Sequence, residues 1–200
     1  MIKISLTDLI DFVSKVGSTK LTLVNKVKNR DDYHPARDFY KVLRDGIIDN
    51  HINGGDKKSL EEMLITVHPK KKDNFQEAIQ GYKKFWGRKD LQWIEPVFKH
   101  WQIDDLDVKI NPELGLMING KPHVIKLYLK SDKLSKNKSD QILALLESEL
   151  RRKAGKQTVF CVLDVRQGKL YCNEDKRKDL IPLLVGEARS FASIWNSLEK

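Results

Sequence analysis

From Leu106 to Ile118 every even position is Leu, Val, Ile, Pro, Leu, Leu or Ile, while the odd positions inside the run are Asp, Lys, Asn, Glu, Gly and Met. A period of two is the signature of a β-strand with one buried face, and a helix cannot hold it. Pro112 removes one ladder donor, so a kink or an edge position is expected there. Asn119-Gly120 follows, the preferred pair for a two-residue type I′ turn. A second strand then places His123, Ile125, Leu127 and Leu129 on its buried side. Such a turn pairs Ile118 with Lys121 and, counting outwards, Glu113 with Lys126. Glu113, Lys126, Tyr128 and Lys130 then share the face opposite the aliphatic one, with a gap over Gly115 where another group can approach the backbone.

The first hundred residues read as helical. Ser5 with Asp8 caps a helix carrying Leu6, Leu9, Ile10 and Val13 on one face. "LTLVNKV" (21–27) fits a short strand or a helical continuation. Phe39, Val42, Leu43 and Ile47 form a stripe, with Pro35 near its start and Gly54-Gly55 beyond its end. Ser59 with Glu62 and Asp73 with Gln76 look like further helix starts, the last helix ending at Gly87. After the hairpin, "SDQILALLESELRRK" is an amphipathic helix with Ser139 as its expected cap. "QTVFCVLDV" and "KLYC" form a second hairpin, and "GEARSFASIWNSL" closes the chain as a helix. The expected fold class is α+β: a helical N-terminal region (1–103) packed on a C-terminal mixed sheet (104–200) as one unit, with hairpins at 106–130 and 157–172 and a C-terminal helix. Cys161 and Cys172 fall at offset positions of neighbouring strands and are not expected to pair.

The order of these elements resembles the PD-(D/E)-x-K nuclease superfamily. There a helix precedes a mixed sheet, a Pro-Asp opens one strand and faces an acid-x-Lys on the next, and a helix and further strands follow. Here the helix at 73–86, Pro112-Glu113, Val124-Ile125-Lys126, the helix at 139–153 and the strand at 157–165 take those places. The resemblance implies a restriction-endonuclease-like core in which Glu113 binds Mg²⁺ and Lys126 is the catalytic amine, because metal and amine together activate a water and offset phosphate charge. Val124 stands where the second acid belongs and cannot bind a cation. A migrated carboxylate would have to come from Glu77 or Glu147. The expectation is therefore a degenerate, inactive core; the alternative is an active Mg²⁺-dependent nuclease using Glu113 and Lys126. Without any such ancestry, the two side chains are a cross-strand ion pair.

Charge enters at this point. The chain carries +9, and residues 130–156 hold eight bases against four acids. A basic excess fits a polyanion partner, DNA or RNA, and equally fits plain solubility. The contact expected is Tyr128, Lys130, Lys133, Lys136 and Lys138, with the "KSDKLSKNK" loop as the longest mobile stretch and Tyr128 as the one stacking aromatic. "RRKAGK" (151–156) complements a helix C-terminus. The five histidines and two cysteines show no zinc spacing, and no phosphate-cradling glycine loop or serine elbow occurs. No run is long enough to span a membrane and no signal peptide is evident, so a cytoplasmic protein is expected. A module binding protein rather than nucleic acid, through Trp93–Trp101 or the C-terminal helix, is the third reading.

Overall fold

The computed structural model describes residues 1–31, 38–173 and 177–199; Pro35 and His34 lie outside them. Along the chain run β1 (Ile2–Ser5), α1 (Leu6–Val13), α2 (Ser18–Lys28), α3 (Lys41–Ile52), α4 (Ser59–Thr66), α5 (Pro69–Trp86), β2 (Leu91–Ile94), β3 (Lys99–Ile103), β4 (Leu106–Ile110), β5 (Leu114–Ile118), β6 (Lys121–Tyr128), α6 (Lys136–Ala154), β7 (Val159–Asp164), β8 (Lys169–Cys172) and α7 (Ile181–Ser197). The fold is α+β with two mixed sheets and a C-terminal helix. "LTLVNKV" belongs to α2, and β1, β2 and β3 lie in the stretch the sequence assigns to helices.

The long alternating run is two strands in two sheets. β4 pairs with β1 in parallel and with β3 antiparallel, while β5 pairs antiparallel with β2 and β6. Even positions are buried throughout, but Leu106, Val108 and Ile110 enter a core with α1, α6 and α7. Leu114, Leu116 and Ile118 enter a second core with α3, α4 and α5. The break falls at Asn111-Pro112-Glu113, where proline has no N–H to continue a ladder.

The hairpin register matches the expectation. Ile118 pairs with Lys121 and Leu114 with Ile125, and Asn119 and Gly120 both have positive φ, as a type I′ turn requires. The group that approaches Gly115 is its own neighbour strand: a Cβ there would lie 2.2 Å from the Ile94 carbonyl oxygen. β6 then runs parallel to β7 through α6, so β6 and β7 are covered on both faces. Val124, Phe160 and Val162 enter the first core; Ile125, Leu127, Cys161 and Leu163 enter the second.

Several starts and one pairing differ from expectation. The Ser5–Asp8 capping box is present. Ser59 is instead inside its helix, and the Asp56 carboxylate accepts from the Lys58 and Ser59 amides. α5 begins at Pro69, ahead of Asp73, because a proline suits the first helical position. Ser135, not Ser139, caps α6, and Ser139 turns its hydroxyl back to the Lys136 carbonyl. Cys161 and Cys172 are directly opposite in the β7–β8 ladder and form a disulfide. A two-residue turn at Gln167-Gly168 would set the cysteines out of line; the turn instead takes residues 165–168 between the paired Asp164 and Lys169, which aligns them. Among the described residues no helix is long and apolar enough to cross a membrane.

Candidate functional site

Glu113 and Lys126 meet as the register requires, and both side chains are only 10% exposed. One carboxylate oxygen of Glu113 accepts from the Lys126 ammonium and the other accepts from the Leu127 amide at 2.8 Å. Lys126 also donates to the Asn111 carbonyl at 3.4 Å. Asn111 and Glu113 lie at the break between β4 and β5 and Lys126 and Leu127 lie in β6, so the pair ties the point where the chain changes sheets to β6. Above Lys126 and Tyr128 the free space is about 20 Å³, closed by Leu6, Ile10, Asp11 and Ile142. That holds about one water and no phosphodiester.

The other acids named for metal binding are engaged elsewhere. Glu77 is exposed on α5 and pairs with Arg166. Glu147 is buried on α6, where it accepts from Arg151 and from Asn173 at 2.9 Å. Val124 sits in the first core. Among the described residues no three His, Cys, Asp or Glu side chains come together as a metal-binding group. A lone carboxylate already bound to an ammonium and an amide does not fit Mg²⁺, which needs oxygen ligands in near-octahedral array.

Tyr128 offers no stacking surface. α1 and α6 cover that face of β6, and the ring is 8% exposed. Its hydroxyl donates to Asp132 at 2.7 Å, and burial together with that carboxylate pushes the phenol well above its ordinary range. Lys130 pairs with Asp11, and Lys138 lies 3.9 Å from Asp11 and 3.6 Å from Asp132. Lys133 and Lys136 are exposed and pair with no carboxylate among the described residues. The loop between them is anchored: Leu134 is buried and its amide donates to Asp164 at 3.0 Å. Trp101 is buried in the first core and α7 packs against α1 and α2, while Phe98 and Leu183 stay exposed.

A polar groove that sequence reasoning did not find lies on the outer face of the three-stranded sheet. Lys3 and Ser5 of β1, His100 of β3, and Asp107 and Lys109 of β4 share that face. Ile2, Ile4, Trp101, Leu106 and Val108 point the other way. With Asp8, Arg30 and Asp31 they border a cavity of about 420 Å³. His100 Nδ1 lies 2.9 and 3.0 Å from the two Asp107 carboxylate oxygens. Asp8 caps α1 through Ser5 and binds Arg30 at 2.7 Å. Burial pushes Asp8 up, but hydrogen bonds from Arg30 and Ser5 outweigh it and hold its carboxyl below the usual range. The alternations in "IKIS" and "KHWQI" were the available signals; each is too short to stand out beside helical neighbours. Compared with known proteins, the chain matches no family model, no curated protein and no solved structure.

Proposed function

We propose that the protein associates with DNA or RNA without strong sequence preference and that its nuclease-like core is degenerate, with no Mg²⁺-dependent cleavage at Glu113 and Lys126. The observation that carries this reading is the order of charge from inside to outside along α1. Asp8 and Asp11 lie one helical turn apart, and each holds a cation from a distant segment on its solvent side. The Arg30 side chain is 54% exposed against 13% for Asp8, and Lys130 is 33% exposed against 24% for Asp11. Cations therefore lie on the more exposed side of half-buried acids. Lys3 and Lys109, exposed and without ion pairs among the described residues, border the same groove as Arg30; Lys133 and Lys136, likewise exposed, follow Lys130 along the chain. Lysines and arginines on phosphates position a strand without reading its bases.

A cytoplasmic location belongs to the same proposal. The Cys161–Cys172 bridge argues on the other side, since that compartment keeps most thiols reduced; denaturing freshly extracted protein in reductant-free buffer that already contains an alkylating agent decides between them.

Fluorescence anisotropy with single-stranded RNA and DNA tests the binding. Affinity is expected to fall steeply between about 50 and 200 mM salt, and each of Lys3→Ala, Lys109→Ala and Lys136→Ala to reduce the log–log slope by about 0.7–0.9. Glu113→Gln, compared as folded protein, is expected to bind like the parent. Absence of binding at about 50 mM salt, or affinity indifferent to salt, overturns the reading.

A further inference from the structure

The geometry points to the His100–Asp107 pair as a metal-independent acid–base centre that cuts single-stranded RNA lying in the outer groove of the three-stranded sheet. It rests on the nucleic-acid reading above and adds to it a reaction and a substrate class. Asp107 is a buried carboxylate, 6% exposed, on the polar face of its sheet. Its hydrogen-bond partner is the His100 imidazole, with both oxygens turned to Nδ1. A carboxylate on Nδ1 fixes the tautomer that carries its proton there and leaves Nε2 as the basic nitrogen. The His100 side chain is 47% exposed, so Nε2 is within reach of a ligand. The cavity, about 420 Å³, is of the size that takes a nucleotide.

The surrounding groups select the chemistry. Ser5 is committed to Asp8 on both its amide and its hydroxyl, so the groove offers no free hydroxyl or thiol among the described residues. The groove's cations Lys3, Arg30 and Lys109 face the carboxylates Asp8, Asp31 and Asp107; Arg30 is held by Asp8, and Lys3 and Lys109, without ion pairs among the described residues, are left to meet an anionic phosphate. A substrate that brings its own nucleophile, the ribose 2′-hydroxyl, completes the set. His100 Nε2 takes the 2′-hydroxyl proton as the 2′-oxygen bonds to phosphorus. The bond from phosphorus to the 5′-oxygen breaks, and that oxygen takes a proton from the ammonium of Lys109, the cross-strand neighbour of His100. The products are a 2′,3′-cyclic phosphate and a 5′-hydroxyl; solvent then carries the proton from His100 back to Lys109. Asp107 is a positioning residue in this scheme.

The test is incubation of the full chain with single-stranded RNA, the matching DNA and 2′-O-methyl RNA, all in EDTA, with anisotropy read on the same samples. Cleavage of RNA alone, ending in cyclic phosphate, is expected. His100→Gln, purified in parallel, is expected to lose at least about 100-fold in rate while still binding RNA. Asp107→Asn is expected to lower kcat and displace the acidic limb of the pH–rate profile, which a purely structural role would not move in protein of unchanged melting temperature. RNA bound but uncut, or cut equally by His100→Gln, overturns the inference and leaves the binding reading standing. RNA neither bound nor cut overturns both.

Discussion

His51 shows how one titratable side chain is tied into the second core. Its Nε2 lies 2.7 Å from the Tyr82 hydroxyl and its ring stacks on Trp86 at 4.7 Å. Burial pulls the imidazole down to about 4 from 6.5 and pushes the Tyr82 phenol up. The unfolded chain then binds a proton that the folded chain refuses, so stability falls as pH drops below about 6.5 and the loss is complete below about 4. Between pH 7 and pH 5 this amounts to about 2 kcal/mol. His51→Gln keeps a neutral hydrogen-bonding group and is expected to flatten that part of the stability–pH curve; equal slopes for the two proteins in urea melts would refute the assignment. Glu113 and Lys126 differ from His51 in being mutually satisfied. Removing one partner leaves a buried charge, which costs about 3–5 kcal/mol, so loss of function after Lys126→Ala is interpretable only beside a melting curve.

Between elements, α5 comes up directly against the backbone of the β7–β8 turn. A Cβ at Gly81 would fall 2.1 Å from the Val165 carbonyl oxygen and 2.4 Å from that of Arg166, both backbone atoms. Two effects of Gly81→Ala oppose each other. Helix propensity favours alanine by about 1 kcal/mol, while forcing the helix off the turn costs about 1–3 kcal/mol or more. Backbone cannot swing aside as a side chain does, so the clash wins and a lower melting temperature is expected. A stabilised variant would show that α5 slides freely on the sheet. The hairpin at 119–120 and the start of α1 were readable in advance, since type I′ turns and capping boxes are chemistry among residues a few positions apart. The starts of α4, α5 and α6 were misread for the same reason: a serine or aspartate ahead of a helical stripe is common, as at Ser59, Asp73 and Ser139, and which oxygen reaches the free amides depends on the path of the preceding loop.

Across the whole molecule, both sheets are shared by the two halves of the chain. β1 and β3 pair with β4, and β2 pairs with β5. Residues 1–103 and 104–200, expressed separately, are each expected to lack a cooperative melting transition and to regain one on mixing; sharp melting of either fragment alone would contradict a shared architecture. What residue order settles here is local: the turn and its register, the meeting of Glu113 with Lys126, and the alternation from Leu106 to Ile118. Alternation tells which side chains share a face, but not what lies against it. Packing alone sends the two ends of that run into different cores, buries Tyr128 under α1 and α6, aligns Cys161 with Cys172, and sets His100 beside Asp107. Each of those outcomes turns on segments brought together from far along the chain, and a period of two carries no information about distance of that kind.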